Sequence, residues 1–108
     1  MLPKGGMTKM IKKAQEMQSQ MEKAQAELNL MEIEGQSGGG MVTVMVNGHK
    51  ELVSLNIDPE ILTEDKEMIE DMILAAVNQG LQNAGKVAEE KMNSITGGIM
   101  GKIKFPGM

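Results

Sequence analysis

Apolar residues recur along the first third of the chain in alternating steps of three and four: Met7, Met10, Ala14, Met17, Met21, Ala24, Leu28 and Met31. This is a heptad stripe, with Met7, Ala14, Met21 and Leu28 in one column and Met10, Met17, Ala24 and Met31 in the other. No proline or glycine interrupts it, and Lys, Gln, Glu, Ala and Met fill the remaining positions. The spacing predicts a helix from about Met7 to Met31, roughly 35 Å long, with Thr8 available to cap a slightly later start. Such a stripe is too narrow for a deep core. It suits packing along another helix, in this chain or in a second copy.

The period then changes. Glu32–Ile33–Glu34 alternates briefly, and residues 35–40 hold four glycines in six positions, which ends the helix and predicts a turn. Met41–Asn47 is rich in β-branched residues and reads as a strand. Asn47–Gly48 is a two-residue hairpin signal, and Glu51–Ile57 is the return strand. Val53, Leu55 and Ile57 are expected to share a face with Val42, Val44 and Val46. The opposite face, with Met41, Thr43, Met45, Leu52, Ser54 and Asn56, is half polar and suits solvent or a second subunit. Asp58–Pro59 closes the strand and opens a short helical turn. Thr63 is expected to cap a second long helix whose apolar positions from Met68 to Ile95 form a broader face. Thr96–Gly97–Gly98 is expected to stop it. The expected organisation is therefore α+β, with a long N-terminal helix, a small antiparallel three-stranded sheet and a long C-terminal helix (α-β-β-β-α). Residues 1–97 form one domain, and 98–108 a flexible Gly-rich basic tail.

Composition limits what such a chain can do. Its 108 residues favour one domain. There are no cysteines, so disulfides and thiolate metal sites are excluded. Residues Met1–Gly5 hold no apolar signal core. The longest apolar run, Met72–Val77, is far too short to span a bilayer, so a cytoplasmic location is expected. Net charge is −4, but it is unevenly spread. The first fifteen residues carry four lysines and no acid. From Lys91 onward there are three lysines and no acid, and the middle holds fifteen acids against four lysines. Exposed charges beyond about 8–10 Å are screened at cellular salt, so a polyanion would feel the basic ends locally.

No catalytic constellation is visible. His49 is the single histidine, beside the Asn-Gly turn, and a transition-metal site is not expected. Gly38–Gly40 lacks the Gly-Lys-Ser/Thr context of a phosphate loop, and Asp58, Glu60, Glu64, Asp65 and Glu67 lack calcium-loop spacing and read as caps and first-turn acids. The thirteen methionines read first as seam residues. The lysines are the remaining candidate chemistry. Lys4, Lys9, Lys12 and Lys13 at one end, with Lys86, Lys91, Lys102 and Lys104 toward the other, suit phosphate contact, which gives affinity without reading sequence. There is no arginine to read guanine and almost no aromatic surface to stack single strands.

The joint order of several pieces resembles the YbaB/EbfC family of bacterial nucleoid-associated proteins over essentially the whole length. The pieces are Lys4–Gly6, the Lys/Gln/Met-rich segment Met10–Met21, Gly35–Gly40, Val42–Val46 with Asn47–Gly48, Ile57–Asp58–Pro59, Glu67–Asp71 with Ala75–Asn78, Thr96–Gly98 and Pro106–Gly107. The resemblance implies a tweezer-like homodimer with helices projecting from a β body. It also implies double-stranded DNA as partner, a nucleoid location, possible influence on gene expression, and neither catalysis nor cofactor. Met10, Met17, Met21 and Leu28 of the seam, with Met41, Met45 and Leu52 of the sheet, are the expected dimer contacts. Two rivals remain: a prefoldin-like protein-interaction module, whose coiled-coil tips hold unfolded chains, and, more weakly, a peripheral membrane binder, for which the first helix lacks bulky anchors.

Overall fold

A computed structural model describes residues 4–100. Helix α1 spans Lys4–Leu30, strands β1, β2 and β3 span Ile33–Ser37, Val42–Val46 and Leu52–Ile57, and helix α2 spans Lys66–Met100. Short 3₁₀ turns at Gly38–Gly40 and Pro59–Thr63 join β1 to β2 and β3 to α2. The sheet is antiparallel throughout, in the order β1-β2-β3. This is the α-β-β-β-α arrangement expected from the periodicity.

The alternation of β2 decides where the core lies. Val42, Val44 and Val46 are fully buried, and α2 lays Ala76 and Ala84 against them, with Ile61 closing one end. The small alanines, and the glycine between them, let the helix approach the sheet. A Cβ on Gly35 of β1 would sit 2.4 Å from the Ala76 carbonyl oxygen and from the Gly80 nitrogen, so β1 and α2 meet backbone to backbone. The strand is pinned there by Ser37 Oγ donating to the Met72 carbonyl, the Gln36 amide donating to Gln79 Oε1 (2.6 Å), and Asn83 Nδ2 donating to the Glu34 carbonyl (3.0 Å).

Several boundaries differ from the sequence expectation. Gly35–Ser37 belong to β1, and the turn is confined to Gly38–Gly40, all three at positive φ. A shift between Met45 and Val46 pairs Val46 with Leu52 and leaves Val53 as the additional residue. Leu52, not Val53, therefore joins Leu55 and Ile57 on the valine face. Thr63 ends the second 3₁₀ turn, where its hydroxyl donates to the Glu60 carbonyl. The cap of α2 is Asp65, whose carboxylate accepts the Met68 amide at 2.9 Å. Nor does Thr96–Gly98 end α2, which continues to Met100. Most of the expected tail lies outside the described residues.

The Asn47–Gly48 hairpin is real, but its turn is not the two-residue type. The Asn47 amide donates to the Glu51 carbonyl and Lys50 N to the Asn47 carbonyl, which makes a three-residue loop of Gly48, His49 and Lys50. The residue at positive φ is Lys50, at 63°. Gly48 is needed for another reason: a Cβ there would lie 2.6–2.8 Å from the side chain and carbonyl oxygen of Leu28. The Gly48 amide donates to that same carbonyl at 2.7 Å, and His49 Nε2 meets the Gln25 carbonyl at 2.9 Å. The hairpin tip is thus braced against the end of α1.

Candidate nucleic-acid interface

Helix α1 leaves the hairpin and runs antiparallel along the second half of α2. Glu27 is ion-paired with Lys91, and Gln20, Lys23 and Ala24 share a groove with Ser94 and Ile95. The seam is therefore partly satisfied within one chain. Leu28 and Ala24 are buried and Met17 and Met21 half-buried, whereas Met7, Met10 and Ile11 toward the tip are exposed. The two helices form an arm projecting from the sheet. The described residues span 74 × 32 × 16 Å, with a radius of gyration of 20.9 Å against about 13 Å for a compact chain of this length.

Lys9, Lys12 and Lys13 are all exposed near the tip of α1. At about 100° per residue they fall within one arc of the helix, away from Met7, Met10 and Ala14. Lys4 is the first residue of α1. Lys86 is exposed on α2, roughly 30 Å back along the arm from Lys12, counting about 1.5 Å per helical residue through the Lys91–Glu27 pair. Lys91 is half-buried and engaged with Glu27, which makes it less available to a phosphate than the others. Lys102 and Lys104 lie outside the described residues. The lysines thus fall into a cluster at the tip and an isolated member at the base.

Four acids cluster at the other end, although Glu16 and Glu22 lie on α1 itself. Asp65 caps α2, and Glu67, Glu70 and Asp71 lie in its first two turns; all four are exposed. They are about 35–45 Å along the helix from Ile95, and the α1 lysines extend farther still. With screening over about 8–10 Å, a negative net charge and a locally positive tip are compatible.

The Lys91 ammonium, first by its hydrogen bond and then by its charge, holds the Glu27 carboxyl below the usual carboxylate range. A carboxyl made more acidic by folding stabilises the folded arm once pH exceeds its unfolded value near 4.3. That contribution fades as pH falls through the lower folded value. Amide protection factors in residues 20–28 and 88–95 are accordingly expected to fall below about pH 4 ahead of those in β2. Simultaneous loss in both regions would show that the pair does not hold the arm.

Of the expected dimer contacts, Leu28 is sealed inside its own chain, Met17, Met21, Met41 and Met45 are half-buried, and Met10 and Leu52 are exposed. Periodicity did not single out Lys50, because nothing local brings a hairpin residue beside α2. It lies in a groove with Lys86. Among the described residues no His, Asp or Glu cluster is arranged to hold a metal, and no helix is long and apolar enough to cross a membrane.

Comparison with known proteins bears on the family and the fold. The chain is 50% identical over 100 residues to a nucleoid-associated protein of Caldanaerobacter subterraneus, covering 92% of this chain and 86% of that one. It is 45% identical over 107 residues to a nucleoid-associated protein of Clostridium novyi, covering 96% and 90%. The crystal structure of an uncharacterized protein from Helicobacter pylori superimposes with a TM-score of 0.64 at 27% identity, covering 93% of this chain and 99% of that one. Residues 4–99 match the sequence profile of the YbaB/EbfC DNA-binding family. The helix, the three-stranded sheet, the second helix and these relatives together place the chain in the YbaB/EbfC family.

Proposed function

We propose that this protein binds double-stranded DNA on the nucleoid as a homodimer, mainly through phosphate contacts, and so contributes to nucleoid organisation and gene regulation. The observation that carries the reading is the cluster of Lys9, Lys12 and Lys13, exposed at the tip of the arm and far from Asp65, Glu67, Glu70 and Asp71. Lysines of this kind neutralise phosphates and release counterions without selecting bases. The family and the names of the relatives support DNA as the partner.

The second copy is supported by an uncovered apolar face. Helix α2 lies over β1 and β2 but hardly over β3. Leu55 and Leu52 pair with the buried Val44 and Val46, yet they remain 43% and 48% exposed. Met72, Gln79 and Asn83 mark the flank of α2 that meets β1. Leu74, 59% exposed, with the half-buried Val77 and Leu81, occupies the opposite flank on the β3 side. A two-fold axis would bring two such faces together and seal both. Light scattering with and without duplex DNA tests the reading: a dimer is expected that shifts to a larger species with DNA. Replacing Leu52 and Leu74 with lysine is expected to yield monomers at micromolar concentration. A double variant that stays dimeric would place the interface elsewhere. Exposed Met7, Met10 and Ile11 at the tip favour the second reading, a prefoldin-like client-binding module. Suppression of client aggregation without any DNA shift would select it.

A further inference from the structure

Two locally unfavourable choices converge on one groove. Lys50 holds φ at 63°, a left-handed conformation that a side chain with a Cβ disfavours and glycine adopts freely. Gly85 sits in the interior of α2, where alanine would favour the helix. The two meet: a Cβ on Gly85 would lie 3.3 Å from Lys50 Cε and 3.6 Å from its Nζ. The missing side chain gives the lysine a path along the helix. The left-handed backbone, braced through Gly48 and His49 against α1, aims it there. The result is an open groove of about 750 Å³ lined by Lys50, Leu81, Gln82, Gly85, Lys86 and Glu89. Backbone strain retained around one side chain points to a task for that side chain.

We propose that Lys50 and Lys86 form a two-ammonium clamp for a backbone phosphodiester of duplex DNA, at the base of the arm. This rests on the reading that the protein binds DNA, and it assigns to that binding a second contact region. The chemistry fits a diester better than a free phosphate. Two ammonium groups and the Gln82 amide supply donors, while Glu89, also in the lining, disfavours a compact dianion. A diester carries one charge and is held in place by the rest of its duplex. The clamp stands roughly 30 Å from the tip lysines along the arm, less than one turn of B-form DNA at about 34 Å, so one duplex reaches both. At that separation the two contributions add.

The test combines Lys50→Gly, Lys50→Gln and Lys86→Ala in the full chain, with DNA affinity measured from 0.05 to 0.5 M salt. Each lost contact removes about 0.9 from the slope of log affinity against log salt. That is about eightfold in affinity at 0.1 M per protomer relative to extrapolation at 1 M. Lys50→Gly is expected to melt at a higher temperature than the parent while binding DNA more weakly and with a shallower slope. Lys50→Gln, which keeps the strain and removes the charge, is expected to lose the same affinity without the gain in melting temperature. If the parent binds with a steep salt dependence and all three variants match its slope, the clamp is wrong and DNA binding stands. If the parent itself fails to bind at 0.05 M salt, the DNA reading fails first. Titration with inorganic phosphate separates the sources: protection of Lys50 and Lys86 from acetylation by phosphate as well as by DNA would overturn the preference for a diester.

Discussion

Replacing Gly35 with alanine is expected to lower the melting temperature by about 15 °C or more, or to abolish cooperative unfolding altogether. The added methyl would occupy space 2.4 Å from the Ala76 carbonyl oxygen and the Gly80 nitrogen and 2.6 Å from the Gly80 Cα. All three are backbone atoms, so no rotamer change relieves the contact. The strand and helix must separate, and separation breaks three polar ties between β1 and α2 and loosens α2 over the valines. Overpacking in a rigid site costs about 1–3 kcal/mol and sometimes more, and backbone-on-backbone contact belongs at the upper end. For a chain of about 100 residues, 3 kcal/mol corresponds to roughly 15 °C. Gly80→Ala serves as the milder comparison, because its Cβ would meet side-chain methyls of Val46 and Val44 at 2.8 and 2.9 Å. Urea or thermal unfolding followed by circular dichroism measures both. A Gly35→Ala protein within a few degrees of the parent would mean that this junction is more pliable than its geometry indicates.

Reversing the three tip lysines, Lys9→Glu with Lys12→Glu and Lys13→Glu, is expected to weaken DNA binding by a factor of about a thousand or more at 0.1 M salt. In a dimer the change removes six candidate contacts. At about 0.9 per contact the slope of log affinity against log salt becomes shallower by roughly 5. The melting temperature is expected to stay within a few degrees, since exposed substitutions usually change stability by less than about 0.5 kcal/mol. A mobility-shift titration at several salt concentrations reads affinity and slope together. Unchanged slope with unchanged affinity would remove the tip from the interface.

Local patterns made much of this molecule legible. The alternation Val42–Val44–Val46 announced the buried strand, and the three-four stripe of α1 announced a helix needing a partner. Other features were hidden because their causes are tertiary. Gly35 looks like part of a glycine-rich turn until Gly80 is seen pressed against it. Asn47–Gly48 signals a tight turn, but Gly48 is required by the approach of Leu28, and positive φ falls on a lysine. Asp65 caps α2 because the 3₁₀ turn consumes Thr63, a choice that two nearby cap-forming residues leave open. For the candidate interface, the tip lysines stood out because the first fifteen residues hold no acid. Lys50 and Lys86 are thirty-six positions apart, and only the packing of hairpin on helix makes them neighbours.

The separation of positive tip from negative shoulder has a kinetic meaning too. A rod with opposite charges at its ends carries a large permanent dipole, and the field of a polyanion turns it before contact. Encounters delivered shoulder-first are repelled, and those delivered tip-first are drawn in. Association should therefore outpace that of an evenly charged protein of the same net charge, and slow steeply as added electrolyte shortens the range of that torque.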